Sequence, residues 1–264
     1  MNFRICISLF LLCCLLQPST AQKPVTKPKE VTVKAMTYNT YSGRKQGIDK
    51  IAEVIKKENP DIVSLQEIER NTEINPWDTP KKLSELTGMK YYYFAHALDI
   101  PTGGDYGNVI LSKYPVSEEK SFKLSVLKEG DYVRSFGYVK VAKEGKEFYF
   151  ATTHLDHKYE DAARLKQVDE ILACVEHLDK PVILGGDLNS RRGSATMAAF
   201  QKYFTVNCLS DGAPWTVPVP SPAYACDWLI YAPNEAFTVK AYNVCYWADK
   251  ESDHYPVVAT YLIK

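Results

Sequence analysis

Acids, amides and histidines recur at the ends of apolar runs in this chain, where a strand would hand a side chain to an edge that water reaches. Six places carry them in order: Thr37-Tyr38-Asn39, Leu65-Gln66-Glu67, Thr153-His154, Gly185-Gly186-Asp187-Leu188-Asn189, Cys226-Asp227-Trp228 and Ser252-Asp253-His254. Any one of them alone reads as a turn, a strand exit or a cap. Together they form a set rich in carboxylate and amide oxygens, without the thiolate cluster or histidine triad of a zinc centre. Such a set suits a hard divalent cation, Mg²⁺, Mn²⁺ or Ca²⁺, and a hard cation points to phosphate chemistry. A phosphodiester is anionic and its phosphorus is shielded. Its hydrolysis needs charge neutralised on the non-bridging oxygens, a deprotonated water in line, and a stabilised leaving oxygen.

The elements that must position these residues are mostly strands. Apolar runs of strand length fall at Val31 to Tyr38, Ile62 to Leu65, Tyr91 to Phe94, Tyr106 to Leu111, Tyr132 to Val141, Phe148 to Thr153, Val182 to Leu184, Trp228 to Tyr231, Phe237 to Tyr246 and Val257 to Leu262. Between them, residues 159 to 178 repeat Leu165, Val168, Ile171, Leu172, Val175 and Leu178 at helical spacing, and a shorter helix is expected over Ile48 to Lys57, ahead of Asn59-Pro60. Helices interrupt the strands at several places without a regular βαβ repeat, which favours two packed sheets flanked by helices. Two irregular stretches, Asn71 to Pro80 and Gly212 to Pro222, each hold a tryptophan, Trp77 and Trp215. Long loops of this kind are frequently functional.

The chain has 264 residues, 45% of them hydrophobic, with 32 Lys and Arg against 32 Asp and Glu. That composition excludes disordered and fibrous classes, and the balanced charge gives no long-range pull toward nucleic acid or an anionic membrane. Arg4, the apolar run Ile5 to Leu16 and the small residues Ser19-Thr20-Ala21 read as a signal peptide, residues 1–21, cleaved after Ala21. The run is too short for a spanning helix, so no stable membrane anchor is expected. Residues 22–30, with two prolines, read as a flexible leader, and 31–264 as a single domain in a secreted or periplasmic monomer. Four cysteines follow the signal. Cys174 lies on the apolar face of its helix and reads as a buried thiol, while the pairing of Cys208, Cys226 and Cys245 is open.

The ordered series TYN, LQE, GNVILSKYP, THL, GGDLN, CDWLIY and SDHYPV resembles the endonuclease/exonuclease/phosphatase superfamily over residues 31–264. The resemblance implies an α/β fold, a four-layered sandwich of two mixed sheets packed face to face with helices outside, and an active site along the edge where strand ends meet. It implies that Glu67 is the principal metal carboxylate, with Asn39 orienting the metal or phosphate and Asp253 a further acid on the metal side. Asp187 and Asn189 correspond to the pair that positions the attacking water and phosphoryl oxygens. His254 corresponds to the catalytic histidine, Asp227 to the carboxylate that orients it, and His154 to a second histidine facing the phosphate. The cofactor implied is Mg²⁺, with Mn²⁺ as substitute.

These roles agree with the chemistry. A cation on Glu67 would answer the charge on the non-bridging oxygens, and an imidazole held by a carboxylate carries a proton near neutral pH. Whether Asp187 or His254 takes the proton of the water is left open by the sequence. Arg134, a charge in an apolar run, is a candidate phosphate ligand. Asn108 and Trp215 are candidates for substrate contact, His157 for the rim, and His96 and His177 for the scaffold.

The sequence therefore favours a Mg²⁺-dependent phosphoesterase. Few basic residues surround the motifs, which disfavours a long polyanion and favours a small or lipid-linked phosphoester. An extracellular nuclease on DNA or RNA is the alternative within the chemistry. A binding protein on the same fold is the alternative outside it, and that reading would expect loss of Glu67, Asp187 or His254, all of which are present.

Overall fold

The computed structural model describes residues 30–206 and 214–264. The expected signal segment, most of the leader, Cys208 and the start of the second tryptophan loop lie outside the described residues. Strands β1 (Val31–Asn39), β2 (Ile62–Arg70), β3 (Tyr91–Asp99), β4 (Asp105–Ser112), β10 (Phe237–Val244) and β11 (Val257–Ile263) form one sheet, in the order β10-β11-β1-β2-β4-β3. Strands β5 (Val116–Leu124), β6 (Arg134–Lys143), β7 (Lys146–His154), β8 (Val182–Asp187) and β9 (Asp227–Ala232) form the other, in that order. Both sheets are mixed, with β1 parallel to β2 and β7 parallel to β8 while the remaining pairs are antiparallel.

Helices α1 (Ile48–Glu58) and α2 (Thr79–Thr87) pack on the outside of the first sheet, and α3 (Ala162–Val175) and α4 (Ala195–Phe200) on the outside of the second. Three cores separate the four layers. Ile51 and Ile55 meet Met36, Tyr38, Val63 and Leu65 on one flank. Val168 and Ile171 meet Leu184, Trp228 and Ile230 on the other. Val33, Ala35, Phe150, Ile183, Leu229 and Tyr231 fill the space between the sheets. The four-layered sandwich implied by the resemblance is the observed fold.

Strand alternation turns these cores into an address for the polar residues, because every second side chain faces the same way. In β1 the series Val33, Ala35, Thr37 brings Asn39 to the face that looks at the other sheet. Phe148, Phe150 and Thr152 do the same for His154, Ile183 and Gly185 for Asp187, and Leu229 and Tyr231 for Asp227. The C-terminal ends of β1, β2, β7 and β8 and the start of antiparallel β9 share one edge of the sandwich. The sheets approach closely beneath it: Ser64 Oγ lies 2.7 Å from Thr152 Oγ1 and donates to the Gly185 carbonyl. A Cβ on Gly185 would sit 3.0 Å from that of Ser64, and one on Gly186 2.5 Å from the Thr153 carbonyl oxygen. The Gly-Gly pair is thus required by sheet packing, directly below Asp187.

Three elements depart from the sequence expectations. The stretch Asn71 to Pro80 is irregular only to Asp78. Asp78 then caps α2 through the Lys81 N–H, Pro80 opens the helix, and Gly88 closes it in the left-handed region. Strand β5 is an exposed edge whose charged residues Glu118, Glu119, Lys120 and Lys123 hide its period. Helix α4 is a single short segment capped by Ser194. Cys226 and Cys245 are free buried thiols, and Cys174 is a free, half-buried one packed against the α3 core.

Candidate active site

A cavity of about 370 Å³ opens on that edge, lined among others by Glu67, Arg134, His154, Asp187, Asn189 and His254. Its centre is the Asp187 carboxylate. Oδ2 accepts from Asn39 Nδ2 at 3.0 Å and lies 3.4 Å from His154 Nε2 and 3.8 Å from His254 Nε2; Oδ1 accepts from the Asn189 N–H at 2.9 Å. The same Asn39 amide donates to Glu67 Oε1 at 3.1 Å, so one side chain joins the carboxylates of the two sheets.

Glu67 reaches the cavity because β2 bulges: its register against β4 shifts between Leu65 and Ile68, and Glu67 takes a positive φ of 59°. A bulge re-aims a side chain that regular alternation would send to the helix face. Asn189 is also left-handed, with φ 45°. A non-glycine residue held there costs free energy, and such strain gathers at functional sites.

The two histidines are held in opposite charge states. Burial alone would make His254 neutral, but Asp227, whose Oδ2 lies 2.8 Å from His254 Nδ1, and Asp187 outweigh it and push the imidazole up to about 10. His254 is a cation at neutral pH, with Nδ1–H donated to Asp227. His154 moves the other way, well below the usual histidine value, through burial and the positive charges of Arg134 and His254. Its tautomer follows from its neighbour. Arg134 Nη1 lies 3.0 Å from His154 Nδ1 and can only donate, so the proton of His154 sits on Nε2 and faces Asp187. Burial and the nearby Asp227 raise Asp187 to about 6, against the lowering effects of His254 and of the Asn39 hydrogen bond.

A hard cation fits Glu67. Its Oε2 meets no hydrogen-bond donor among the described residues, the side chain lines the cavity, and Asn39 ties it to Asp187. A second grouping brings ligand atoms of Asp187, Cys226 and His254 within 4.8 Å of one another, but a thiol is a soft ligand that does not suit a hard cation. Burial, Asp187 and Asp227 hold the Cys226 thiol well above its ordinary value, hence protonated, and His254 Nδ1 is committed to Asp227.

Asn39, Glu67, His154, Asp187, Asn189, Asp227 and His254 are therefore gathered at one place. Arg134 is there as well, but differently from expectation: it is buried, and its terminal nitrogens go to Tyr106 Oη, His154 Nδ1 and His157 Nδ1. It braces two histidines. Asn108 is buried behind the cavity, where its amide donates to Ser135 and links β4 to β6. Asp253 is half-buried against the Ser252 hydroxyl and is absent from the cavity wall, as is Trp215.

Sequence reasoning passed over Arg44, Glu69, Tyr106 and Tyr132, which line the same cavity. Arg44 pairs with Glu69, and the available signal was position: Arg44 follows the Asn39 strand end by one turn, and Glu69 follows Glu67 by two residues.

The sequence profile described as the Endonuclease/Exonuclease/phosphatase family matches residues 36–254. The uncharacterized protein YbhP of Escherichia coli K12 is 25% identical over 252 residues, covering 88% of this chain and 96% of YbhP. The sphingomyelinase C of Bacillus cereus is 23% identical, with 93% of each chain covered. Among solved structures, an endonuclease/exonuclease/phosphatase from Beutenbergia cavernae superposes with a TM-score of 0.76 at 23% identity, over 88% of this chain and 72% of that one.

Proposed function

The chain belongs to the endonuclease/exonuclease/phosphatase family, and from that membership we propose that it is a secreted, Mg²⁺-dependent phosphoesterase acting on a small or lipid-linked phosphoester. The observation that carries the proposal is the linked chain Asp227, His254, Asp187, Asn39, Glu67, in which a cationic imidazole, a carboxylate poised near neutrality and an open carboxylate oxygen meet at one cavity. A divalent cation on Glu67 would neutralise charge on the non-bridging and leaving oxygens.

The chain's own residues supply the rest. Asp187, deprotonated above about pH 6, takes the proton of the attacking water, whose oxygen forms the new bond to phosphorus as the P–O bond to the organic group breaks and its oxygen departs as an alkoxide that takes a proton from solvent. Asn39 and Asn189 fix the carboxylate that receives the proton. His254 sets a positive charge beside the phosphoryl oxygens, held by Asp227. His154 offers a neutral Nε2–H to the same site, its tautomer set by Arg134.

Similarity to a sphingomyelinase C along nearly the whole length supports a lipid-linked ester. Export rests on the signal-like residues 1–21; among the described residues, no helix is long and apolar enough to cross a membrane. The test is hydrolysis of bis-p-nitrophenyl phosphate, sphingomyelin and plasmid DNA by purified protein. Turnover of a non-nucleic ester with Mg²⁺ or Mn²⁺, abolished by chelator, is the expected result. No hydrolysis of any of the three with either cation, or full activity in excess chelator, overturns it.

A further inference from the structure

A second cavity, of about 430 Å³, adjoins the first. Arg44, Glu69 and Tyr132 line both, so the two are one continuous depression divided by the Arg44–Glu69 ion pair. The chemistry changes across that divide. The first cavity is walled by ionisable and hydrogen-bonding groups. The second presents Ile74, Leu98, Ile100, Pro101 and Val133 with the ring of Tyr132. Glu73, Asp99 and Asp131 stand among them, and Arg44 is the one cation in its wall among the described residues.

The walls are built. The loop after β2 is pinned by buried side chains: Asn75 donates to the Ser42 carbonyl, Thr72 Oγ1 to Glu69 Oε2, and the Asn75 N–H to Thr72 Oγ1. The β3–β4 turn closes through hydrogen bonds between Ile100 and the backbone of Gly103 and Gly104. Gly104 takes φ +78°, and a Cβ there would sit 2.4 Å from the Arg70 carbonyl oxygen, so this turn can lie against the first loop only with glycine. Ile74, 47% exposed, and Tyr132, 48% exposed, are thereby held in water at the cavity mouth, an arrangement that favours an apolar ligand.

We propose that this cavity is the subsite for the organic group esterified to the phosphate, and that it selects an apolar, uncharged alkyl or aryl group over a nucleotide. The inference rests on the phosphoesterase reading of the neighbouring cavity. Continuity with that cavity identifies the occupant, because a group bonded to a phosphate at Asp187 and His254 can pass the Arg44–Glu69 pair into the second cavity. The carboxylates supply the discrimination: a second phosphate of a nucleic acid strand would meet Glu73 and Asp99, while Asp131 is already paired with Lys158, whereas an alkyl chain meets Ile74 and Leu98.

Two measurements on the full chain test this. The first compares kcat/KM for methyl, butyl and octyl p-nitrophenyl phosphate and for thymidine 5′-(p-nitrophenyl phosphate), with Mg²⁺ present. Each methylene buried strengthens binding by about fourfold, so the octyl ester is expected to exceed the methyl ester by tenfold or more and to exceed the thymidine ester. In the Ile74→Ser/Leu98→Ser variant the octyl-to-methyl ratio falls toward one, while Ile74→Leu retains it. The second is calorimetric titration with octyl phosphate and methyl phosphate, which needs no turnover and reads the same ratio as binding.

Hydrolysis and binding that ignore chain length, preference for the thymidine ester, or an unchanged ratio in the double variant each overturn the subsite while leaving the phosphoesterase standing. Tighter binding of octyl phosphate by a protein that hydrolyses none of the esters retains an apolar subsite and removes the catalytic reading instead.

Discussion

The two sheets meet at one edge and bring it different chemistry. The five-stranded sheet contributes His154, Asp187, Asp227 and Arg134, all buried and interlocked: Arg134 fixes His154, Asp227 fixes His254, and Asp187 joins the two imidazoles. The six-stranded sheet contributes Asn39 and a half-buried Glu67, set on a bulge with one carboxylate oxygen open to the cavity. One wall is preorganised to hold protons and charge in fixed places; the other is complete only with a ligand. The difference teaches how the work is divided. Proton handling is held by hydrogen bonds within the fold, whereas charge neutralisation is proposed to fall to a cation at Glu67, and Asn39 is bonded to a carboxylate of each wall.

The sharpest way to break this division is Glu67→Gln. Glutamine keeps an oxygen for the Asn39 amide and loses the charge proposed to bind the cation. Turnover with Mg²⁺ should fall by about a thousandfold, the scale of several kcal/mol of charge stabilisation, with a melting temperature close to that of the parent. Calorimetric Mg²⁺ titration of the variant checks the assignment, and unaltered affinity would falsify it.

His254 stands just before β11 and is held from the opposite wall by Asp227; His254→Ala should lower kcat by about a hundredfold or more, the range of a positioned acid or base. Asp227→Asn separates charge from geometry. With Asp187 raised to about 6 and His254 to about 10, the proposed mechanism requires a deprotonated Asp187 and a protonated His254. The profile of kcat/KM against pH should therefore rise through about 6 and fall through about 10. Removing the Asp227 charge lowers the pKa of His254, so the alkaline limb moves toward neutrality, and because the same charge helps to raise Asp187 the acid limb moves to lower pH as well. An alkaline limb that does not move assigns it to another group.

A smaller effect is expected of Arg134→Lys. The guanidinium forks to His154 and His157 from one plane, and an ammonium keeps the charge without that geometry. A loss of about tenfold in kcat with little change in KM is expected, in line with groups that orient a functional imidazole. A rise in KM with kcat preserved would instead make Arg134 a phosphate ligand, the role its sequence position suggested.

How much of this was legible in sequence varies with its physical cause. Asn39, His154, Asp187 and Asp227 were readable because each ends or starts a run whose alternation fixes its face. Two packed sheets flanked by helices followed from the same runs, and the four layers from the family resemblance. Strand β5 was not readable, since the middle of this edge strand, residues 117–121, is exposed and carries no apolar period, and α2 was masked by a tryptophan loop although Asp78, Pro80 and Gly88 bracket it. Arg134 was found, but a charge in an apolar run signals a buried partner without saying which, and its bonds to Tyr106, His154 and His157 were not foreseen. Arg44 and Glu69 form an ion pair across sequence, and nothing local in either residue announces the other.

The smallest effect belongs to Trp215, and it sharpens the comparison by showing where the second tryptophan loop acts. Its indole is 47% exposed and off the cavity wall. The next residue, Thr216, is buried: its hydroxyl accepts from the N–H groups of Cys226 and Asp227, at 3.3 and 3.4 Å, and its carbonyl accepts from the Tyr255 N–H at 2.9 Å. Thr216 thus holds the backbone on both sides of the Asp227–His254 pair. Trp215→Ala should leave kcat/KM for methyl and octyl p-nitrophenyl phosphate within about twofold of the parent, as for a surface substitution away from such contacts. Thr216→Val should cost more, because it leaves buried N–H groups without their acceptor. A tenfold loss on the octyl ester in Trp215→Ala, at an unchanged melting temperature, would return the indole to substrate recognition and place part of the organic group on the histidine side of the cavity.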